Sequence, residues 1–572
     1  MSKHLNIIAL LLTFILPVTI VGQDIENLIK DAKNRLEAPP LKISGGINSS
    51  LQLYSITGME NRADPLMWRI RANFRMDFLG FKVPVSGIFS TKSTVFNYQL
   101  PAFAFAGMSP SYKWATLHLG DRTMTFSPYS LSGHSFRGIG VELKPGDFRF
   151  SALHGRLKRA RAEDLGKLQN IESPYRRMAW GIKMGYDNGQ DELAISLFNA
   201  RDDAESVEIY DSIPYHPAEN VVLGFNGKKQ FGKSLFLAVE FAHSIFTQNQ
   251  NAPARSGRLN FLQRAGGLIT PLNATSYNNA LKTKLGFQTN FGTMAFEYER
   301  IDPHYRSLGT LFFNNDLENF TGGLTASFFK KKVHFSGKFG IQRNNLSGNE
   351  TNTTTRFIGN INANATINNR MNVSLAYSNF SNTNRLKSLS NPLQPIDSIV
   401  LVLVNKNMSL ASTYQLSQKQ TSVLSMVLMY QEANNIENDE INQEQQSQYW
   451  LAQLAHQYQN VGSKIGFTSA LQVNYGRLPQ LESLTIGPSI GVNASLLKGK
   501  LEPNSTLSLT ANAMDGSWVG NILTWQNRIS YLPHPDHRFS LISAFAQRSV
   551  QKSAQANAFS EWIMRLEYGW GF

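Results

Sequence analysis

The chain has 572 residues, of which 42% are hydrophobic, 11% aromatic and only 17% charged. So few charges beside so many aromatic rings exclude a disordered chain, and the lack of any cysteine excludes disulfides, cysteine-ligated zinc, iron–sulfur clusters, thiol catalysis and a lipid-modified cysteine. The formal charge of +14 is spread along the chain instead of being gathered in one motif, which argues against a nucleic-acid partner.

At the start, Lys3 and His4 precede an apolar run over residues 5–21, closed by Gly22 and the polar Gln23 and Asp24. Residues 1–22 therefore read as a secretory signal peptide cut after Gly22. Pro17 and Asn6 shorten the run below the roughly 20 apolar residues that a spanning helix needs. In residues 23–40, Ile25, Leu28, Ile29, Ala32 and Leu36 mark one face of a short amphipathic helix that Pro39 and Pro40 stop. That helix either packs on the lower rim of the following domain or serves a periplasmic partner or as a small stopper. Beyond it the longest wholly aliphatic stretch is 399–404, too short to cross a membrane as a helix.

Residues 41–572 are a succession of alternating segments, each of about 10 to 15 residues, with the period of two that belongs to strands with unlike faces. In the segment 67–78, Trp68, Ile70, Ala72, Phe74, Met76 and Phe78 alternate with Arg69, Arg71, Asn73, Arg75 and Asp77. An arginine facing lipid near the midplane costs about 2 to 4 kcal/mol, so Arg69, Arg71 and Arg75 are expected to face a watery or protein-filled interior. In the final segment Trp562, Met564, Leu566, Tyr568, Trp570 and Phe572 share one face, opposite Ile563, Arg565, Glu567, Gly569 and Gly571. A strand so apolar on one face would aggregate at the edge of a soluble sheet, whereas in a closed barrel that face meets lipid and the edge is paired. The expected fold is all-β, a closed antiparallel up-and-down transmembrane β-barrel over 41–572.

Short turns, such as Pro145-Gly146, Asn188-Gly189, Phe291-Gly292 and Asn368-Asn369, alternate with long polar connections near 158–174, 201–218, 248–276, 302–317, 344–353, 381–405 and 433–445. Short inner turns and long outer loops are the pattern of an up-and-down meander. It weakens at Asp515-Gly516, a very short outer turn, and at the Pro-rich inner connection 532–536. It fails between Val95 and Ser111, where roughly 22 segments from Tyr112 onward and about three before it make an odd total, against the even numbers of single-chain barrels. About 24 to 26 strands are expected, enclosing a cylinder roughly 45 to 50 Å across that side chains alone cannot fill.

These features, with the aromatic-terminated end Leu566-Glu567-Tyr568-Gly569-Trp570-Gly571-Phe572, resemble the large integral outer-membrane β-barrels of Gram-negative bacteria. The Asn-rich stretch 360–372 is similar in style to barrels of the Bacteroidota. The resemblance implies export to the outer membrane, and contact with its lipid and lipopolysaccharide. It also implies insertion by the barrel-assembly machinery through the C-terminal residues Leu566, Tyr568, Trp570 and Phe572, and association with other outer-membrane or periplasmic proteins. Leu119-Gly120-Asp121, with Gly133 and Phe136-Arg137-Gly138, resembles a stretch in the barrels of fimbrial ushers, although the plug and soluble domains of ushers have no counterpart here. The alternative is that a strand entering a crowded interior needs the small volume of glycine and a lumen-facing charge.

Chemistry of the enzymatic kind finds little support. Ser132, His134 and Ser135 cluster in one loop without an identifiable orienting group, the histidines fall mostly alone, and His534 and His537 flank a Pro-Asp turn without metal-ligand spacing. No enzyme, cofactor or metal is expected. Arg156, Lys158, Arg159 and Arg161, with Arg176 and Arg177, make one outer loop basic and suited to lipopolysaccharide phosphates or to a docking protein, while Glu432, Glu437, Asp439, Glu440 and Glu444 make a later one acidic. Two functions fit: a pore or translocation channel for solutes or polypeptide, or a non-conducting subunit that scaffolds an assembly or secretion complex.

Overall fold

The computed structural model describes residues 41–572 except 79–80, 91–92, 96–97, 101–103, 161–173, 208–215, 257–262, 311–313, 349–354, 380–403, 418–420, 434–435, 438–439, 442–445 and 552–556. The signal peptide of residues 1–22 and the helix of 23–40 lie outside the described residues.

Alternation of apolar and polar side chains gives strands that can bury neither face alone, and hydrocarbon removes every alternative partner for their N–H and C=O groups, so the ring must close. It does. The chain forms a closed antiparallel barrel of 26 strands, each paired with its sequence neighbours. The first strand, Leu41–Thr57, pairs with the last, Phe559–Gly571, over a register running from Gly46 opposite Gly571 to Thr57 opposite Ser560. Beyond that register Gly45 and Phe572 exchange both backbone hydrogen bonds, at 2.8 and 3.0 Å. Gly45 sits at φ +156°, and a Cβ there would lie 2.4 Å from the Asn73 carbonyl oxygen, so the closure requires a residue without a side chain.

The odd strand count is resolved between Val95 and Ser111. Ala104–Met108 and Ser111–Tyr112 together fill one place in the wall, interrupted at Ser109 and Pro110, between Phe81–Ser90 and Ala115–Thr123. Proline offers no N–H to the ladder, and the break hides the period. The Pro-rich connection expected at 532–536 is shorter than that. The strand Ser517–His534 runs on through a register shift between Tyr531 and His534, leaving Pro535 and Asp536 as the turn.

Cross-strand register carries each face around the ring. From Arg71 it passes through Asn48 and Gly569 to Arg538 on one side. On the other side Arg71 pairs with Ile88, on the same face as Ser86, whose partner Gly107 pairs with Gly120, itself opposite Gly138. This is the luminal face. Away from the rims the opposite face is predominantly apolar, with side chains as exposed as Phe296 at 63% and Ile490 at 62%. So continuous an exposed apolar band is untenable in water and matches hydrocarbon. At the long-loop rim residues 263–274 fold against the outside, where Ala265 and Ile269 cover Val221, Ile245, Leu197 and Tyr277. Twenty-six strands at 4.8 Å spacing and a tilt of about 40° enclose a cylinder about 50 Å across.

Candidate functional site in the barrel lumen

The lumen has three unlike walls. The first is built over by two connections that fold inward. Residues 124–134 follow the strand Ala115–Thr123, and their Met124, Phe126, Tyr129 and Leu131 are all buried against the wall. The wall accepts them because it is made small there. A Cβ on Gly140 would lie 2.5 Å from the Met124 sulfur, and one on Gly181 would lie 2.6 Å from the Phe126 ring. Ala179, Ala200, Ala242 and Ala280 continue that shallow floor.

The second inward connection, described over 302–310, locks onto the first. Leu131–Ser132 pairs in parallel with Gly309–Thr310, and the Tyr305 hydroxyl donates to the Tyr129 carbonyl at 2.8 Å. Both are tied to the wall. The Tyr129 hydroxyl donates to Glu299 at 2.7 Å, Lys183 donates to the Phe126 carbonyl at 2.8 Å, and the Leu308 N–H donates to the Asn220 side chain at 3.1 Å. Burial, with Glu299 alongside, pushes the Tyr129 phenol far above its ordinary range, and burial alone does the same to Tyr305, so both hydroxyls stay protonated donors. Two connections with an apolar core and paired polar groups form a fixed buttress on the wall.

The second wall is neutral. Across the eight strands from Thr355–Asn368 to Leu501–Met514, the luminal positions carry charge only at two corners, Arg356 near the outer rim and Glu502 near the inner one. Between them stand mostly amides and hydroxyls, among them Asn362, Asn364, Gln453, Gln472, Asn474 and Asn512, interrupted by the apolar Val423, Val427, Met429 and Leu451. Asn364 accepts from Ser374 at 2.7 Å, Asn512 from Thr485 at 2.8 Å, and Asn474 from Gln472 and Tyr449 at 3.1 and 3.0 Å. Their oxygens are thus engaged along the wall, which holds the amides in fixed orientations.

The third wall is basic and spans the closure, from Ser517–His534 around to Leu66–Phe78. The register puts Arg69, Arg71 and Arg75 on the luminal face together with Arg528, Arg538, Arg565 and the buried Arg548. Four of them have acidic neighbours: Arg75 meets Asp77 at 3.1 Å, Arg538 meets Glu502 at 3.7 Å, and Glu567 lies 3.7 Å from Arg565 and 3.9 Å from Arg528. Arg69 and Arg71 are exposed and meet no carboxylate among the described residues. Glu561, on the same wall, is buried and accepts from Tyr54 at 2.8 Å.

Other sequence candidates fall elsewhere. Arg137 does not face the lumen. It points outward and pairs with Asp121 through both carboxylate oxygens, at 2.8 and 2.7 Å, because its parity along the strand is opposite to that of the buried Phe136. The glycines of that stretch do serve the crowded interior. Arg156 lies beside Arg137 on the outward face near the long-loop rim. Lys158 follows a register shift, Arg159 stands just past the strand end, and Arg161 lies outside the described residues. Arg176 and Arg177 are taken up by Asp203 and by the buried Asp202. In the acidic loop Glu432 is buried and accepts from Lys406 at 3.0 Å and from Tyr430 at 2.7 Å, while Asp439 and Glu444 lie outside the described residues. Ser132 belongs to the buttress pairing. His537 stacks on Tyr568 and Trp570 while His534 meets Asp536 at 3.1 Å, and no cluster able to hold a metal occurs among the described residues. In the last strand Trp562, Met564, Leu566, Tyr568 and Trp570 share the outward face.

A ring of strands that is apolar outside, polar inside and too wide for its own side chains defines a membrane-spanning β-barrel. No protein-family model matches the chain, and no curated protein matches its sequence. Among solved structures it is similar to the translocation pore of the P pilus usher PapC, with 10% identity, 93% of this chain and 99% of that chain covered and a TM-score of 0.38. It is similar also to the FrpB iron transporter of Neisseria meningitidis, with 10% identity, 95% and 84% covered and a TM-score of 0.38. An anion-selective porin from Comamonas acidovorans matches at 10% identity over 66% of this chain and all of that one, with a TM-score of 0.27.

Proposed function

We propose that the protein is an outer-membrane channel whose water-filled path runs beside the buttress, along the neutral and basic walls. The observation that supports this most is the predominantly polar luminal face of the 13 strands from Thr355–Asn368 around the closure to Leu66–Phe78, a surface that hydrocarbon cannot solvate. A barrel serving only as an anchor needs no such width. Arg156, Lys158 and Arg159 at the outer rim would meet lipopolysaccharide phosphates, and Leu566, Tyr568, Trp570 and Phe572 would be the end that the insertion machinery reads. No step of bond making is assigned to any residue. Purified protein in a planar bilayer is expected to give steady ionic current. Silence, together with stoichiometric co-purifying proteins, is the result expected of a scaffold and would contradict the channel.

A further inference from the structure

We infer that the channel passes hydroxyl-rich anionic solutes, of which acidic oligosaccharides are the matching class. This rests on the channel reading and goes beyond it by assigning the two open walls separate tasks.

The basic wall supplies the charge selection. Arg71 and Arg538 stand on one hydrogen-bonded row, separated by Asn48 and Gly569, and Arg528 and Arg565 stand on another, separated by Ile542. Arg69 faces the lumen one turn of the pleat beyond Arg71, across Ser50 from Glu567. A carboxylate moving along the closure therefore leaves one guanidinium within reach of the next. Acidic neighbours at 3.7 and 3.9 Å temper several of these arginines, so that no single site holds the anion. Conduction needs this: binding favourable enough to enter, yet divided over several weak sites.

Arginines alone would serve any anion, and the neutral wall narrows the class. Eight neighbouring strands without luminal charge between their corners offer an inorganic ion nothing. On either side of the apolar Val423, Val427, Met429 and Leu451 they offer a polyhydroxylated chain amides and hydroxyls that exchange hydrogen bonds with water and sugar hydroxyls at nearly equal energy. Such a surface lets a saccharide slide without being trapped.

The test uses full-length protein in planar bilayers and in liposomes. Under a potassium chloride gradient the reversal potential should report anion preference, and R69Q with R71Q should lower the anion-to-cation permeability ratio severalfold. R538Q is a second variant on the same row should the pair fail to insert. In liposome swelling, trigalacturonate should enter severalfold faster than the uncharged maltotriose. Q453L with N474L should slow both sugars while leaving chloride current unchanged. Cation-selective current, equal entry of the two trisaccharides, or chloride current with no trisaccharide entry would overturn the inference and leave the channel standing. Absence of all current would overturn the channel itself.

Discussion

Alternate residues of one strand live in different solvents, and single substitutions should separate them. Arg71 faces water inside the barrel, so Arg71→Ala should leave the unfolding free energy in lipid vesicles within about 0.5 kcal/mol of the parent. Ala72, one residue away on the lipid face near the middle of the strand, should behave oppositely. Ala72→Arg is expected to destabilise the inserted barrel by about 2 to 4 kcal/mol, and equal costs for the two variants would refute the assigned faces. The buttress gives a second contrast. Gly181 leaves room for the Phe126 ring, so Gly181→Leu must push the 124–134 connection off the wall. The barrel should still migrate as a folded, heat-modifiable species while that connection becomes open to added protease. Continued protection would mean that the connection does not depend on the floor beneath it.

Among the elements, the closure between the first and last strands is the least forgiving, because it alone joins residues more than 500 positions apart. Gly45→Val places a side chain against the Asn73 carbonyl, and membrane insertion in a reconstituted assembly assay should fall severalfold while synthesis of the chain is unaffected. Normal insertion would show that the pairing of Gly45 with Phe572 is dispensable. This level is also where the sequence is most and least readable. Strand 66–78 declares its faces because three arginines alternate with bulky apolar residues, and the last strand does so through its tryptophans. The piece 104–112 conceals itself because Pro110 breaks both its ladder and its period. The buttress leaves no periodic trace: Phe126, Tyr129 and Tyr305 sit in connections, and what buries them is the run of glycine and alanine on neighbouring strands. Arg137 reads as luminal only while its parity with Phe136 is ignored. The same parity rule, applied to Ile563, Arg565 and Glu567, suffices to put Arg565 on the basic wall.

The whole molecule is one layer of strands that divides two solvents. The chain contains no cysteine, so single cysteines can be introduced at positions 68 to 72 one at a time and read without background. In protein inserted in lipid vesicles, a membrane-impermeant, water-soluble maleimide should label Arg69→Cys and Arg71→Cys quickly. Trp68→Cys, Ile70→Cys and Ala72→Cys should resist it and react with a lipid-soluble maleimide instead. Labelling that fails to alternate, or that alternates with the opposite phase, would contradict the central claim.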